Sequence, residues 1–153
     1  MENNYYLSAS IRWADIDANF HLRHTVFYDL GSELRIKMLA AAGVTMGYMQ
    51  EQGFGPVLFR EECRFLREVR IEDKVEVELR IRGLSRDHRK FAFEHTFKRG
   101  EEICAVLVVE GAWFSAATRK LVVPPQRLID ALDHVPRTAD FAWIEGGANK
   151  GQR

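Results

Sequence analysis

Residues 22–43 read LRHTVFYDLGSELRIKMLAAAG and contain the one long helical pattern of this 153-residue sequence. An apolar residue stands at every fourth position from Leu22 to Met38, which places these side chains along one face of an α-helix. Phe27 widens that face, and Gly43 is a typical residue at which a helix ends. The stretch therefore predicts a helix of about five or six turns with one side buried against another layer.

Several segments around this helix alternate apolar and polar residues, which is typical of strands with one buried and one solvated face. The alternation occurs in residues 5–13 before the helix and in residues 75–82 and 90–98 after it. Residues 103–114 are apolar on both faces, which indicates a strand in the middle of the sheet. The pattern predicts an antiparallel sheet built largely from consecutive strands.

The remaining segments complete a single α+β domain. Gly47, Gly53 and Gly55 indicate a glycine-rich loop after the long helix. Two prolines at 124–125 end the sheet and begin a short helix at about residues 126–132. We expect one domain over residues 1–142, with a curved antiparallel sheet wrapped around the long helix, and a flexible tail over residues 143–153. The open edges of the sheet need cover, and dimerisation is one solution.

The composition argues against several classes of partner. Lys plus Arg and Asp plus Glu both number 22, so the chain lacks the broad positive field of proteins that bind nucleic acid or anionic membranes. The longest apolar run, residues 103–109, is much shorter than the roughly 20 residues of a membrane span. Residues 1–4 carry no signal-peptide pattern, and Cys63 and Cys104 read as buried free thiols. We expect a cytoplasmic protein.

Residues 12–24 gather the reactive side chains, because two acids and two histidines stand between the first strand and the long helix. They are Asp15, Asp17, His21 and His24. Backbone N–H groups at a helix start carry partial positive charge and can stabilise a developing oxyanion. A carboxylate beside them can attack a carbonyl carbon or deprotonate a water, and Asp17 is well placed for this. The arrangement indicates acyl transfer or hydrolysis.

Each of these residues also has a simpler interpretation. For Asp17 this is the role of a helix cap, the commonest use of aspartate before a helix, and Asp15 is expected to orient Arg12 or the turn. His24 and His21 are either site residues or ordinary polar residues near the helix start. Asp17 and the two histidines would also converge on a metal ion if a further ligand existed, but the sequence offers none, so no metal is expected.

Residues 12–24 and the helix that follows resemble the signature of the 4-hydroxybenzoyl-CoA thioesterase family of hotdog proteins. This family includes the acyl-CoA thioesterases associated with the Tol–Pal system. The family pattern has two acids, then a glycine, then a helix with an aromatic residue and a Glu-x-Arg. The matching positions here are Asp15, Asp17, Phe27, Glu33 and Arg35, and residues 65–73 and 118–124 resemble later strands of the family. The likeness spans about residues 5–133.

The resemblance implies a hotdog fold and a hydrolase that cleaves an acyl-CoA to free acid and CoA. Asp17 matches the family's catalytic carboxylate, a nucleophile or a base for water, with the helix start as oxyanion site. His24 and His21 match positions where members carry histidine, whereas Glu33 and Arg35 are expected at the helix surface or an interface. The resemblance also implies a homodimer or homotetramer with active sites at the dimer interface, and no cofactor beyond the CoA of the substrate.

A second cluster, Arg86, Arg89 and Lys90, surrounds one predicted hairpin turn. In the resembling enzymes, basic residues in this region bind the phosphates of CoA, a task that suits Arg and Lys by charge and donor geometry. The alternative is a solvated turn, where charged residues are common. His95 lies on the apolar side of a predicted strand and is expected to be a hydrogen-bonded core histidine.

The sequence departs from the family pattern at Phe20, where glycine is usual, and at Arg23 and His24, which replace two asparagines. Glycine adopts a positive φ without strain, so we expect strain at Phe20 unless Asn19 relocates the turn. The sequence leaves two other functions open. One is a hotdog hydratase or dehydratase acting on an enoyl thioester, and the other is a non-catalytic protein that binds acyl groups or CoA.

Overall fold

The structure is a computed structural model and describes residues 3–146 of the chain. None of the helices in this range is both long and apolar enough to cross a membrane. A 3-10 turn over Trp13–Asp15 follows the first strand. The helices are α1 (His24–Ala41), α2 (Met46–Gln52) and α3 (Gln126–His134). The strands are β1 (Tyr6–Ser10), β2 (Phe54–Phe65), β3 (Lys74–Ser85), β4 (Lys90–Arg99), β5 (Glu102–Ser115), β6 (Lys120–Leu121) and β7 (Arg137–Ile144).

Within the described range, the seven strands form one sheet with the order β1-β3-β4-β5-β2, and neighbours in this order are antiparallel. The short β6 pairs with the end of β5, and β7 runs parallel to β3. The apolar strand β5 lies between β4 and β2, as its composition predicts. The strand β2 forms one edge of the sheet.

The long helix α1 packs its apolar stripe against the sheet. Leu34 has no exposed surface, and the ring of Phe27 meets the ring of Phe97 edge-on at 5.2 Å between centroids. At Gly31 the two layers approach so closely that a Cβ atom would lie 2.6 Å from Cδ2 of Leu107. The predicted α+β class, with one long helix against a curved antiparallel sheet, is confirmed.

A short helix replaces the loop predicted from the glycines after α1. Thr45 begins α2 as its N-cap, and its Oγ1 accepts a hydrogen bond from the backbone N–H of Tyr48 at 3.1 Å. Gly53 ends the helix in the left-handed conformation, with φ of 73°. The glycine count suggested a loop, but a threonine cap and a glycine stop are the signals of a helix boundary.

The C-terminal part of the described chain adds a strand that the sequence analysis missed. After α3, β7 pairs in parallel with β3 and continues to Ile144. The predicted tail over residues 143–153 therefore begins inside a strand, because Trp143 pairs with Leu84. Residues 147–153 of that predicted tail lie outside the described residues.

Candidate active site

Asp17 lies at the start of a tight hairpin loop between β1 and α1. Its backbone N–H donates to the carbonyl oxygen of His21 at 2.9 Å, and the N–H of Phe20 donates to the Asp17 carbonyl at 3.1 Å. The carboxylate oxygen Oδ1 accepts hydrogen bonds from the N–H of Asn19 at 2.8 Å and from that of His21 at 3.2 Å. The loop therefore fixes the orientation of the Asp17 carboxylate through one of its two oxygens.

A cavity of about 300 Å³ opens beside this loop. All three predicted catalytic residues line it, together with Leu22, Phe27 of α1 and residues 65–69. These three residues are Asp17, His21 and His24. Within residues 3–146, no group of three or more His, Cys, Asp or Glu side chains has the geometry to hold a metal ion. The structure thus brings the acid and both histidines to one cavity.

The same cavity has a second carboxylate that the sequence analysis did not single out. Glu68 lines it together with Arg67. A hydrogen bond from its own backbone N–H lowers the pKa of the Glu68 carboxyl, and the neighbouring His21 contributes to the lowering. The one sequence feature that pointed to Glu68 was its place within residues 65–73, which resemble a family segment. Neither periodicity nor spacing distinguishes one acid of a charged turn from another.

The long helix begins beside this cavity without a side-chain cap. Its N-cap residue is Arg23, whose side chain makes no capping hydrogen bond, while the Arg23 carbonyl accepts the N–H of Val26 at 2.9 Å. First-turn N–H groups of a helix lack partners within the helix and carry partial positive charge. The alternative that Asp17 caps this helix is wrong, because Asp17 closes the preceding loop and the cap falls at Arg23.

Asp15 has the structural role expected from the sequence. Its carboxylate accepts hydrogen bonds from Nη2 of Arg12 at 2.8 Å, from Nε at 3.2 Å and from the Arg12 backbone N–H at 3.0 Å. The hydrogen bond from the Arg12 side chain is the main cause that lowers the pKa of Asp15. Asp15 is buried, so it stabilises the turn that precedes Asp17.

Arg35 does not lie at the helix surface, which was one of the two places predicted for it; the other was an interface. Its side chain is only 11% exposed, and its guanidinium lies between α1 and the sheet, 3.0 Å from Nε2 of His95 and 3.7 Å from the Glu61 carboxylate. The close approach of helix and sheet occurs beside it, because a Cβ on Gly31 would lie 3.5 Å from the guanidinium. Glu33, in contrast, is exposed as predicted.

The predicted phosphate-binding residues line a separate groove of about 840 Å³ at the β3–β4 hairpin. The guanidinium of Arg86 stacks on the Trp143 ring, 4.3 Å from its centroid. Two further cations that the sequence analysis did not assign line the same groove, because the turn before β6 folds against the hairpin. The cations of the groove are Arg86, Arg89, Lys90, Arg119 and Lys120.

The groove and the Asp17 cavity lie at different ends of the sheet. Phe65, which lines the cavity, pairs with Ala105 of β5, whereas Lys90, which lines the groove, pairs with Ala112. A strand rises about 3.3 Å per residue, so the distance along β5 from Ala105 to Ala112 is roughly 23 Å. One chain therefore does not place the acid and the cations side by side.

Residues 11–132 match the sequence profile of the family described as "Thioesterase-like superfamily". The chain belongs to the thioesterase-like superfamily. The matched range includes the Asp17 loop, the long helix and the β3–β4 hairpin of this thioesterase-like protein. A search of the curated proteins by sequence gives no match.

Solved structures of low sequence identity share the fold of this thioesterase-like protein. A 1,4-dihydroxy-2-naphthoyl-CoA thioesterase from Synechocystis matches with a TM-score of 0.77 and 16% identity, over 85% of this chain and 96% of that one. A gentisyl-coenzyme A thioesterase gives 0.72 and 18%, over 83% and 98%. A hypothetical protein from Staphylococcus aureus in complex with CoA gives 0.79 and 15%, over 97% and 92%. The predicted hotdog fold is confirmed.

Proposed function

We propose that this protein hydrolyses an acyl-CoA to the free acid and CoA, with Asp17 as nucleophile or general base. The observation that carries the proposal is the cavity lined by Asp17, His21 and His24 at the uncapped start of α1. Membership in the thioesterase-like superfamily supports thioester hydrolysis in general. As part of the same proposal, we place the protein in the 4-hydroxybenzoyl-CoA thioesterase family, near the Tol–Pal-associated group. We also propose that it is cytoplasmic.

The proposed reaction begins with the thioester carbonyl carbon beside the Asp17 carboxylate. Its oxygen faces the N–H groups at the start of α1, which stabilise the negative charge that develops there. Asp17 attacks the carbon to form an anhydride and expel the CoA thiolate, and water then hydrolyses the anhydride. In the alternative route, Asp17 takes a proton from a water that attacks the carbon directly. A protonated His24 or His21 would supply the proton to the leaving sulfur.

The test is the release of free thiol from a panel of acyl-CoAs with short, long and aromatic acyl groups. Aromatic groups belong in the panel because two of the similar structures are thioesterases for aromatic acyl-CoAs. We expect Asp17→Asn to lower kcat by at least about a hundredfold, since a general base or nucleophile contributes this much or more. Asp29→Asn, which changes an exposed acid on α1 just after the Asp17 loop, is the matched control and should retain wild-type turnover. Equal activity of Asp17→Asn and the wild type would exclude Asp17 from the chemistry.

We further propose that the protein works as a homodimer in which the CoA phosphates of one site bind the basic groove of the other chain. The edge strand β2 carries residues of both sites, since Phe65 lines the Asp17 cavity and Phe59 lines the groove. Antiparallel pairing of two β2 edges would lay the Phe59 part of one strand beside the Phe65 end of the other. This arrangement would bring the cations of one chain's basic groove close to the Asp17 cavity of the other chain.

One observation favours the alternative of a protein that binds acyl groups or CoA without turnover. Phe20 stands beside Asp17 with φ of 65°, at the position where the resembling family has glycine. A bulky ring at this point would disturb the approach of the thioester to Asp17. Tight binding of CoA or acyl-CoA by a protein that releases no thiol from any member of the panel would establish this alternative.

A further inference from the structure

The loop that holds Asp17 has the geometry of a three-residue hairpin connection. Ile16 and Leu22 form an antiparallel bridge, and the residues between them are joined by the Asp17–His21 and Phe20–Asp17 backbone hydrogen bonds. In such connections a turn is followed by a residue in the left-handed conformation, a position that favours glycine. Phe20 occupies that position, with φ of 65°. Asn19, which tolerates this conformation better, does not take it over.

Within the described part of the chain, packing of the Phe20 ring does little to offset the backbone strain. A left-handed backbone is unfavourable for any residue with a Cβ, and especially so for a bulky one. Packing of the ring would offset that cost, but the Phe20 residue is 75% exposed. Strained residues of this kind cluster at active sites and ligand-binding segments.

The position of Phe20 relates it to the Asp17 cavity. Phe20 is not among the residues that line the cavity, but it lies in the loop between Asp17 and His21, which both line it. On the β2 side the cavity is lined by two further apolar residues with high exposure, Phe65 at 52% and Leu66 at 44%. The Asp17 loop and the β2 side therefore both carry exposed apolar side chains near the cavity, which suit a hydrocarbon chain or an aromatic ring better than a charged group.

We propose that Phe20 is a specificity-determining residue whose ring covers the apolar part of the acyl group during reaction at Asp17. The inference rests on the proposed thioesterase function and names the substrate class as thioesters with an extended alkyl or aryl group. An acetyl group has no extended apolar chain to place against the ring, so it gains nothing from Phe20. The exposure of the residue leaves the ring free to contact the substrate and not the core.

The first test replaces Phe20 by glycine and compares acyl chain lengths. Phe20→Gly relieves the backbone strain, so its Tm should equal or exceed that of the wild type. We expect kcat/KM for long-chain or aromatic acyl-CoA to fall about tenfold, mainly through KM, because apolar burial is lost. Activity on acetyl-CoA should change less than about twofold. Phe20→Tyr, which keeps the ring, should retain the wild-type preference.

Trp13→Ala is the matched control, because Trp13 precedes the same loop and is 77% exposed but has no positive φ. It should leave chain-length selectivity unchanged. Unchanged selectivity in Phe20→Gly would overturn the inference while leaving the thioesterase function intact. A dimer that dissociates in Phe20→Gly at wild-type selectivity would also overturn it, because the ring would then contact the second chain.

A binding measurement separates this inference from the proposed function. A thioether analogue of a long-chain acyl-CoA cannot be hydrolysed, so its affinity can be measured by calorimetry even if no turnover occurs. We expect the analogue to bind wild type about tenfold more tightly than Phe20→Gly, with CoA alone binding both equally. That result without thiol release would remove the hydrolase function and keep acyl recognition by Phe20. Equal affinity of both proteins for the analogue would overturn the inference.

Discussion

His95 is a fully buried histidine whose tautomer follows from its neighbours. Its Nε2 lies 3.0 Å from Nη1 of Arg35, and its Nδ1 lies 3.2 Å from the Leu107 carbonyl oxygen. Arginine only donates, so Nε2 must accept, and Nδ1 must carry the hydrogen that it donates to Leu107. Burial, and then the charge of Arg35, lower the pKa of His95 to about 3. The predicted core histidine is confirmed, and it is neutral at ordinary pH.

This lowered pKa makes the stability of the fold depend on pH. An unfolded chain protonates His95 below about pH 6.5, whereas the folded chain does so only near the lowered pKa. Protons therefore favour unfolding between these values, and His95 should cost about 2 kcal/mol of unfolding free energy between pH 7 and pH 5. His95→Gln should lose less stability than the wild type over this interval, as measured by urea unfolding at each pH. Parallel losses in both proteins would contradict the neutral buried state.

At the scale of single residues, the sequence predicted roles that depend on near neighbours and missed those that depend on distant ones. The pairing of Asp15 with Arg12 follows from a spacing of three residues, and it is confirmed. The burial of Arg35 depends on His95, sixty residues away, and on the space beside Gly31. The position of Arg35 within a helix predicts neither the contact with His95 nor the space beside Gly31.

At the scale of secondary-structure elements, the edge strand β2 carries exposed apolar side chains. It is a strand of twelve residues at the edge of the sheet, and Phe59 and Phe65 are 61% and 52% exposed. Long edges of this kind pair readily with another strand. Opposite charges flank Glu61 at the centre of β2, since Arg60 and Glu62 form an ion pair within the strand. Self-pairing centred on Glu61 would set Arg60 of each chain opposite Glu62 of the other.

This register predicts how charge changes affect assembly. Arg60→Glu alone would face Glu62 across the dimer, and Glu62→Arg alone would face Arg60, so each should weaken self-association by about tenfold or more. An equal mixture of the two variants should form heterodimers, because every cross-strand pair is then opposite in sign. Native mass spectrometry can count homodimers and heterodimers in that mixture.

The double variant Arg60→Glu/Glu62→Arg is the control, and it should dimerise like the wild type because both cross-strand pairs are restored. A random distribution of chains in the mixture would argue against this register. Monomeric wild-type protein would argue against β2 self-pairing altogether.

Elements with strong periodicity were predictable, and elements decided by pairing were not. The helix α1 and the alternating strands β3 and β4 follow directly from their apolar spacing. The strand β7 escaped because residues 137–144 mix charged and aromatic residues without clean alternation. Its parallel pairing with β3 depends on how α3 returns the chain to the sheet, which local sequence does not encode.

For the whole molecule, the separation of the Asp17 cavity and the basic groove predicts that one active site draws on two chains. A preparation of Asp17→Asn has intact grooves, and a preparation of Arg86→Ala/Arg89→Ala/Lys90→Ala has intact Asp17 loops. If sites are shared, mixing the two after subunit exchange creates heterodimers with one complete site. Thiol release should then recover to about a quarter of the wild-type rate for random exchange.

The control is the same mixture without subunit exchange, which should show only the sum of the separate activities. No recovery after verified exchange would show that each chain supplies its whole site.

The class of fold was predictable from the sequence, because a single apolar helix stripe and alternating strands admit few arrangements. The distance between the two predicted halves of the site was not, because it depends on strand register.

Gly31 imposes a limit on how this family member can change over time. A side chain of any size at this position would press on Leu107, which has no exposed surface and cannot retreat into solvent. Residues in turns and at the termini can be substituted independently, but a substitution at position 31 must be preceded or accompanied by a smaller residue in β5. Homologues that carry a larger residue at position 31 should therefore also carry a changed residue at position 107, so that the two positions vary together.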